Sequence, residues 1–349
     1  MIAAWYSIVG LMLIVYVVLD GRNFGAGMLH WLVARTSEER RQVIAAIGPL
    51  WSWHEVWLVG FGGRLLAVFP TLLASAFAGY YLALFLILWS LILRGISLEV
   101  GGHINDRMWQ GFWDFGFVVA NTLLAILFGA AAGNLARGVP LAPDGTFSMA
   151  FFTDFTPRGD VGLLDWYTVS VALFAAVALA AHGATYLTLK TEGPVHDRSA
   201  GYARVLWAAA APLLLVITLE SVELRPDLLG HAIDNIFCWL GLFVVCAAAI
   251  ALVSGLATGR EMLAFIGSNL LLAGLLATLA AAIFPVVLHS TLAPENSLTA
   301  YDVAAGPNSL AYAAIWWPIA FALAAAYFVF VSRRYAGKVS VNRDNQGFY

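Results

Sequence analysis

Long runs without charged residues are the dominant pattern along this chain. Residues 1–19 carry no charge, and residues 56–93 carry only Arg64. Six further runs also lack Asp, Glu, Lys and Arg: 115–136, 166–189, 205–219, 235–259, 262–294 and 303–332. A helix needs about 20 apolar residues to cross the hydrocarbon core of a bilayer, so these runs predict membrane-spanning helices.

Pro70 divides the run 56–93 into two spans, because proline interrupts the hydrogen bonding of a helix. The predicted helices cover residues 3–32, 52–74, 75–97, 113–135, 163–188, 202–221, 233–257, 262–285 and 310–333. The pattern therefore predicts an all-α integral membrane protein with nine transmembrane helices, arranged as two four-helix bundles plus one peripheral helix. We expect residues 1–349 to form a single polytopic membrane domain.

The composition supports a membrane protein and excludes a soluble one. Hydrophobic residues make up 61% of the 349 residues and charged residues only 11%, against about 25% charged in soluble domains. The mean hydropathy is +0.83. The net charge of −3 and the lack of a Lys/Arg run argue against a nucleic-acid partner. The first span lacks the features of a cleaved signal peptide, so we expect it to be retained.

The Lys and Arg residues lie mostly in one set of connections, which predicts the orientation. Thirteen lie in one set of loops and the C-terminal segment: Arg35, Arg40, Arg41, Arg94, Arg107, Lys190, Arg198, Arg204, Arg260, Arg333, Arg334, Lys338 and Arg343. The other set holds three, Arg137, Arg158 and Arg225, and Arg22 and Arg64 fall within spans. Because cytoplasmic loops carry the excess of Lys and Arg, we predict the N-terminus outside and the C-terminus in the cytoplasm.

Ionisable residues at membrane depth are costly, so each is a candidate functional residue. They are concentrated in the first third of the chain. The candidates there are Asp20, Arg22 and Asn23 in the first span, His54, Glu55 and Arg64 in the second, Arg94 and Glu99 at the end of the third, and Asp114 at the start of the fourth. The second half is poorer in such residues, and His182 lies deepest among them.

Glu55 allows two interpretations. It lies among Trp51, Trp53 and Trp57 at the start of the second span. Partial desolvation there would favour the neutral carboxyl group and allow proton exchange near neutral pH, which predicts a proton relay. The alternative is a structural ion pair. Arg64 lies nine residues further along the same predicted helix and faces away, so the partner would come from another helix.

Asp20 also allows two interpretations. Gly21, Gly25 and Gly27 follow it, and small residues let another helix approach closely. The favoured interpretation is a glycine-rich packing face whose Asp20 carboxylate pairs with an arginine such as Arg94. The alternative is a buried acid that lines a water-filled proton path.

The histidines raise the question of a haem ligand, because haem iron commonly takes an axial histidine. His54 and His182 are the two at a plausible depth, and His182 stands beside Gly183 and Ala184, which allow close helix contact. A lone histidine in a membrane helix is more often hydrogen-bonded to a neighbouring helix than bound to a metal, so we predict no metal site. Cys238 and Cys246 are too far apart for a CxxC motif.

Several segments, in the same order along nearly the whole chain, resemble subunit II of the cytochrome bd-type ubiquinol oxidases. The segments are Leu19-Asp20-Gly21-Arg22-Asn23-Phe24-Gly25-Ala26-Gly27-Met28-Leu29, Glu39-Arg40-Arg41, Gly48-Pro49-Leu50-Trp51, Glu55-Val56-Trp57-Leu58, Gly62-Gly63, Phe69-Pro70, Ala76-Phe77-Ala78-Gly79-Tyr80-Tyr81, Trp113-Asp114, Gly133-Asn134-Leu135, Gly138-Val139-Pro140 and His182-Gly183-Ala184-Thr185-Tyr186-Leu187. The chain resembles the cyanide-insensitive branch as much as the better-studied enzymes.

The resemblance implies a function and a partner. This chain would pair, in the bacterial cytoplasmic (inner) membrane, with a haem-bearing subunit I that oxidises quinol and reduces dioxygen to water. Haem b and haem d, or a further haem b, would lie in that partner, and this chain would bind none. The resemblance also implies that this chain stabilises subunit I and contributes to proton or oxygen access. It is compatible with a bound quinone or phospholipid and with small single-span accessory subunits.

The sequence departs from the family pattern at several positions. Many relatives have Asp after the matching Trp51, on a proton route toward subunit I, where this chain has Ser52. The segment Trp53-His54-Glu55 replaces Gly-Asn-Gln or Gly-Asn-Glu, Asn23 stands where relatives often have an acid, and Arg64 replaces a small or uncharged residue. The proton route is therefore predicted to run through Glu55 or His54, or to be absent from this chain.

We predict no catalytic residue on this chain itself. The proton-pathway candidates are Glu55, His54, Asp20, Ser52 and Glu99, and the ion-pair or structural candidates are Arg64, Arg94, Asp114 and His182. The Gly25/Gly27 and Gly62/Gly63 faces are candidates for close packing inside the chain or against subunit I.

Two other functions were weighed against an oxidase subunit. A proton-coupled membrane transporter would suit the buried acids, but transporters often repeat their broken helices in both halves, and here the polar residues are concentrated in the first. A self-sufficient haem enzyme would need axial ligands that the chain does not clearly offer.

Overall fold

The computed structural model describes residues 1–156 and 159–339, and the protein there is almost entirely helical. The helices are α1 (Ile2–Met28), α2 (His30–Val33), α3 (Ser37–Ile47), α4 (Trp51–Val68), α5 (Pro70–Gly79), α6 (Tyr81–Val100), α7 (Arg107–Arg137), α8 (Trp166–Lys190), α9 (Gly193–Leu224), α10 (Pro226–Asp234), α11 (Ile236–Thr258), α12 (Glu261–Ile283) and α13 (Pro307–Arg334). The short strands are β1 (Ala150–Phe152), β2 (Gly162–Leu164), β3 (Val286–Leu288) and β4 (Leu298–Thr299). The strands form two pairs, β1 with β2 in parallel and β3 with β4 antiparallel.

The predicted fold class is confirmed. Among the described residues, eight helices are long and apolar enough to cross a membrane, and the number reaches nine if α4 and α5 are counted as one span. The long helices are α1, α6, α7, α8, α9, α11, α12 and α13. The orientation of the termini stays a prediction, and Arg158 and Arg343, which contribute to it, lie outside the described residues.

The long helices pack as two groups that are in contact with each other. In the first group, α1 packs against α4 and α7, and α7 packs against α6. In the second, α8 packs against α9 and α12, and α11 packs against α12 and α9. Contacts of α8 with α1 and α7 join the groups, while α13 lies at the periphery against α4.

The break between the second and third predicted spans lies elsewhere than expected. The prediction placed it at residues 74 and 75, whereas α4 ends at Val68 and a separate helix, α5, begins at Pro70. Proline fixes its own φ and disfavours helical geometry in the residue before it, so the helix stops at Pro70. The axis bends there by 118°, and the backbone amide of Ala305 donates to the Val68 carbonyl at 2.8 Å.

Two ends of the bundle differ in their connections. One end carries α2, α3 and the α8–α9 and α11–α12 connections, with most of the described Lys and Arg residues outside the spans, and is named here the basic end. There α3 begins with a capping box, in which Thr36 and Glu39 satisfy each other's backbone amides. The opposite end carries α5, α10 and the four short strands.

The first and last spans meet at this opposite end. The rings of Trp5 in α1 and Trp317 in α13 lie 6.5 Å apart, nearly perpendicular to each other. Further along α13, Phe321 packs edge-on against Trp57 of α4 at 5.8 Å. Close to the basic end, Tyr327 lies 3.7 Å from the Trp53 ring. These aromatic contacts fix α13 along α4.

Candidate functional site

Arg94 of α6 joins two carboxylates that come from two other helices. Its Nη1 donates to Oδ2 of Asp20 in α1 at 2.9 Å, and its Nη2 donates to Oε1 of Glu55 in α4 at 2.5 Å. The side chains of Arg94 and Asp20 are fully buried, whereas the Glu55 side chain is 27% exposed. The Arg94 guanidinium also lies over the Phe24 ring, 4.8 Å from its centre.

This ion-paired group lies inside the helix bundle near the basic end. Glu55 is one helical turn from the start of α4, and Arg94 is less than two turns from the end of α6. Removing one partner of a buried ion pair leaves an uncompensated charge, which costs about 3–5 kcal/mol. Arg94 therefore fixes the relative positions of α1, α4 and α6, and Glu55 is the member of the group that reaches the surface.

A second set of contacts extends the group along α1. The amide nitrogen of Asn23 lies 2.9 Å from Oδ1 of Asp20 and 2.7 Å from Nδ1 of His54. On the other side of the ring, Nη2 of Arg22 lies 2.9 Å from Nε2 of His54. All four side chains are buried. The contacts thus form one continuous string from Glu55 through Arg94, Asp20, Asn23 and His54 to Arg22.

Arg22 is a buried cation without a carboxylate in contact. Its guanidinium lies over the rings of Tyr186 in α8 and Phe265 in α12, 4.6 Å and 5.9 Å from their centres. Its Nε has no hydrogen-bond partner among the described residues. Two cations, Arg22 and Arg94, and two carboxylates, Asp20 and Glu55, balance the charge of the whole string.

The chemistry of the string is carried by its carboxyl groups. Carboxylates can take up and release protons, whereas a guanidinium only donates hydrogen bonds and keeps its proton. Because Arg22 donates to Nε2 of His54, the imidazole accepts there and is not an imidazolium in this arrangement. That protons pass through His54, Glu55 or Asp20 stays a prediction.

The other two proton-pathway candidates lie outside this buried string. Ser52 is exposed on α4, three residues before Glu55. Glu99 is exposed on α6, five residues closer to the basic end than Arg94. Both lie on the side of the bundle where Glu55 reaches the surface.

The ion-pair candidates have separate surroundings. Arg64 lies over the Trp5 ring at 5.3 Å, far from Glu55. Asp114 of α7 accepts from Nη1 of Arg40 at 2.9 Å and contacts Nε2 of His30 at 3.0 Å. His30 is fully buried. Asp114 therefore holds α7 to α2 and α3 at the basic end.

His182 connects three helices. Its Nε2 lies 3.0 Å from the Val18 carbonyl of α1, and its Nδ1 lies 2.9 Å from the Ser268 hydroxyl of α12. A carbonyl only accepts, so Nε2 carries a proton that it donates to Val18. This is the cross-helix hydrogen bonding that the sequence favoured over a metal ligand.

The histidines offer poor ligands for a haem iron. An axial ligand needs a nitrogen lone pair free of other partners, and both ring nitrogens of His54 and of His182 contact protein groups. Among the described residues, no group of three or more His, Cys, Asp or Glu is placed to hold a metal ion. The donor set therefore does not fit a haem, and the absence of a haem on this chain stays a prediction.

The contact among Arg22, Asn23 and His54 was not predicted from the sequence. Only the link from Asn23 to Asp20 had a signal, because the two residues are three positions apart on one helix and so share a face. Asn23 and His54 are also two of the positions at which the chain departs from the family pattern, and their side chains touch. Tyr186 and Phe265, which enclose Arg22, carried no such signal.

Comparisons with known proteins agree with one another. Residues 1–334 match the family described as cytochrome bd terminal oxidase subunit II. The cytochrome bd-I ubiquinol oxidase subunit 2 of Escherichia coli K12 is 29% identical over 335 residues, which cover 88% of this chain and 86% of the relative. The cytochrome bd ubiquinol oxidase subunit 2 of Bacillus subtilis is 26% identical, with 88% and 87% covered.

The likeness extends to a solved structure. A chain of the bd oxidase from Geobacillus thermodenitrificans superposes with a TM-score of 0.72 at 16% identity, covering 95% of this chain and 97% of that one. At this identity the match establishes a shared fold.

Proposed function

This chain belongs to the cytochrome bd terminal oxidase subunit II family, and on that premise we propose that it passes protons from the basic end of the bundle toward a haem-bearing partner subunit. The chain is subunit II of a bd-type quinol oxidase, an oxidoreductase complex of the bacterial inner membrane. Family membership replaces the alternative of a proton-coupled transporter.

The observation that carries the proposal is the gradient of burial along the Glu55–Arg94–Asp20 group. Glu55 is 27% exposed and accepts from Arg94, whose other nitrogen reaches the fully buried Asp20. A carboxyl group at the surface can collect a proton, and Arg94, which keeps its own protons, holds Glu55 close to the buried carboxyl group of Asp20. With the basic end in the cytoplasm, Glu55 stands where protons would enter.

The haems supply the oxygen chemistry of the complex, and we assign their ligands to the partner. Both ring nitrogens of His54 and of His182, the two histidines at a plausible depth, contact protein groups. This chain would hold α1, α4 and α6 in register, stabilise the partner and carry protons.

The exposed face of α4 is the surface we propose for the partner. Ser52, Val56, Val59 and Gly63 follow one another on it at helical spacing and are exposed, Val59 to 73%. Gly62 and Gly63 have open space where a Cβ would stand. Lipid would leave the half-buried Glu55 beside this face without polar surroundings, whereas a protein partner can solvate it and receive its proton.

The test is Glu55→Gln, which keeps size and hydrogen bonding but removes proton exchange. We expect slower quinol-driven oxygen uptake per haem at unchanged haem content, with a defect that grows at high pH, where protons are scarce. The matched control is Glu220→Gln. Glu220 lies near the end of α9 that is away from the basic end, and its carboxylate accepts a hydrogen bond from Ser170. Normal uptake per haem at every pH in Glu55→Gln would refute the proton route and leave a structural ion pair.

A further inference from the structure

A short segment that follows α13 crosses the basic end of the bundle. Residues 335–339, named here the strap, continue a helix that otherwise lies at the periphery against α4. The strap is exposed except for Val339, which is half-buried. Val339 packs against the buried apolar cluster that contains Ala46 and Tyr186. The strap therefore connects the peripheral helix to the interior of the bundle at its basic end.

Lys190, the last residue of α8, holds the strap by three hydrogen bonds. Its ammonium group donates to the carbonyls of Tyr335 and Gly337 at 2.6 Å and 2.7 Å. Its own carbonyl accepts from the Val339 amide at 2.7 Å. Gly337 has a φ of +95°, which glycine adopts without steric cost. The turn at this glycine allows two strap carbonyls to face one ammonium group.

Two further contacts attach the strap to other helices. The side-chain amide of Gln42 in α3 donates to the Val339 carbonyl at 3.2 Å, and Nζ of Lys338 lies 2.9 Å from Oε1 of Glu261 in α12. Ion pairs at the surface contribute little to stability, whereas hydrogen bonds to a charged group are among the stronger ones. Lys190 is therefore the principal anchor.

The anchors stand in a regular relation to the surroundings of Arg22. Tyr186 and Phe265 enclose the Arg22 guanidinium, and the Tyr186 hydroxyl donates to the Ala46 carbonyl at 2.7 Å. We name these three residues the Arg22 enclosure. Each lies four positions, about one helical turn, from one anchor: Ala46 from Gln42, Tyr186 from Lys190 and Phe265 from Glu261. Residues four apart share a helix face, so the strap crosses directly over the enclosure.

We propose that the strap is a lid over the Arg22 enclosure and that Lys190 is its latch. The closed lid separates the buried guanidinium from the aqueous phase at the basic end. When Lys190 releases the strap, water and small anions reach the enclosure, attracted by two cations, Arg22 and Lys190. The inference goes beyond the proton route and does not depend on it, because the lid lies at the Arg22 end of the string and protons are proposed to enter at Glu55.

The strap has the properties of a segment that opens locally. Segments with few buried apolar contacts and exposed backbone hydrogen bonds open at a free energy far below that of global unfolding. In the strap only Val339 is half-buried, and the lysine that holds it has a flexible side chain. The enclosure beneath is closely packed, with Ala46 and Tyr186 each 2% exposed. The strap therefore moves more readily than the residues it covers.

Labelling of a cysteine placed in the enclosure of the purified oxidase complex tests the proposal. Ala46→Cys adds one sulfur atom at a buried position, in a chain whose own Cys238 and Cys246 are changed to Ala. A negatively charged methanethiosulfonate reagent labels a thiol that water reaches, and mass spectrometry of this chain reports the rate. We expect slow labelling, and labelling about tenfold faster when Lys190→Met is added, because loss of hydrogen bonds to a charged group shifts an equilibrium by at least this factor.

Three further chains, each carrying the same reporter cysteine, separate the latch from other effects. Lys190→Arg should keep the slow rate, since a guanidinium can also donate to two carbonyls. Arg35→Met removes an exposed cation at the same end and is the matched control, for which the slow rate is expected. A chain that ends at Arg334 lacks the strap and should label at least as fast as Lys190→Met.

Hydrogen–deuterium exchange of the complex gives a second measurement that needs no added cysteine. The Val339 amide donates to the Lys190 carbonyl, so we expect this amide to exchange about tenfold faster in Lys190→Met. The exchange rate in Arg35→Met should equal that of the wild type. This measurement decides the question if the chain with Ala46→Cys does not assemble.

Two results would overturn the inference. One is an unchanged exchange rate of the Val339 amide in Lys190→Met. The other is an equal labelling rate of the reporter cysteine in the full-length chain and in the chain that ends at Arg334. Failure of the proposed function is a separate result, since it would show as normal oxygen uptake in Glu55→Gln whatever the labelling and exchange rates are.

Discussion

Gly25 of α1 and Gly183 of α8 pack backbone against backbone. A Cβ built on Gly25 would lie 2.7 Å from the Cα of Gly183, closer than real Cβ atoms approach. Gly27, two residues on, is covered by Asn121 of α7. Of the two glycine faces considered for close packing, the Gly25/Gly27 face is therefore used inside the chain, and the Gly62/Gly63 face is left open.

The first prediction concerns this helix crossing. In Gly183→Ala, the added methyl group overlaps the backbone of Gly25 and Ala26, and the helices must separate. Overpacking of this kind costs about 1–3 kcal/mol, so we expect a lower thermal midpoint and a lower yield of the complex. Gly201→Ala, on α9 with open space around it, is the control and should behave as wild type. Equal midpoints would contradict the close crossing.

The second prediction concerns assembly. Gly63→Leu adds a side chain to an exposed position with no neighbour within 4 Å in this chain, so the chain itself should fold normally. If the α4 face binds the partner, less haem-bearing partner should co-purify with the tagged chain. Gly201→Leu is the control at a similarly open helical glycine. Unchanged yield and haem spectrum in Gly63→Leu would place the partner on another face.

The third prediction concerns haem. With both His54 and His182 changed to Ala, we expect the ratio of haem to protein in the complex to stay at the wild-type value, because their ring nitrogens are engaged by protein groups. His231→Ala, on the exposed surface of α10, is the control for loss of a histidine. Loss of one haem's absorbance in the double variant alone would overturn the assignment of the ligands to the partner.

The fourth prediction concerns acid stability at the basic end. The hydrogen bond from Arg198 lowers the pKa of Glu39 from 4.5 to about 2. A lowered pKa means that Glu39 stabilises the fold fully above about pH 4.5, and that this contribution is lost as the pH falls through about 2. Glu39→Gln should cost about 1 kcal/mol at neutral pH.

The measurement is the thermal midpoint in detergent at several pH values. The gap between wild type and Glu39→Gln should be largest near neutral pH, narrow below about pH 4.5 and close near pH 2. Glu192→Gln, an exposed carboxylate at the same end, is the control for loss of a charge. A gap that persists at pH 2 would mean that the negative charge of Glu39 is not the source of its stabilising effect.

The spans could be predicted from the sequence because a membrane-spanning helix needs a run of about 20 apolar residues, and such runs are visible in the sequence itself. Pro70 also located the end of α4, since its ring forbids a continuous helix whatever the surroundings. The 118° bend could not be predicted, because the hydrogen bond between Ala305 and Val68 comes from residues far along the chain. Local chemistry sets where a helix stops, and distant contacts set where the chain goes next.

The candidate site shows the same division. Asp20, Glu55 and Arg94 stood out individually because each is a charge at membrane depth, and Asp20 with Arg94 was a favoured pair. That one arginine serves both carboxylates depends on how α1, α4 and α6 rotate against each other. The exposure of Ser52, three residues from Glu55, could not be predicted either, because only the packed helices reveal which side of α4 is inside.

The contact between Trp5 and Trp317 has a consequence for biosynthesis. Trp317 is translated more than 300 residues after Trp5, yet their rings meet at the opposite end of the bundle. Contacts between such distant parts of a chain form late. The side of α4 that packs against α13 therefore stays uncovered until α13 has been inserted into the membrane. A ribosome that stalls before residue 307 would release an open bundle, and quality-control proteases would meet that surface first.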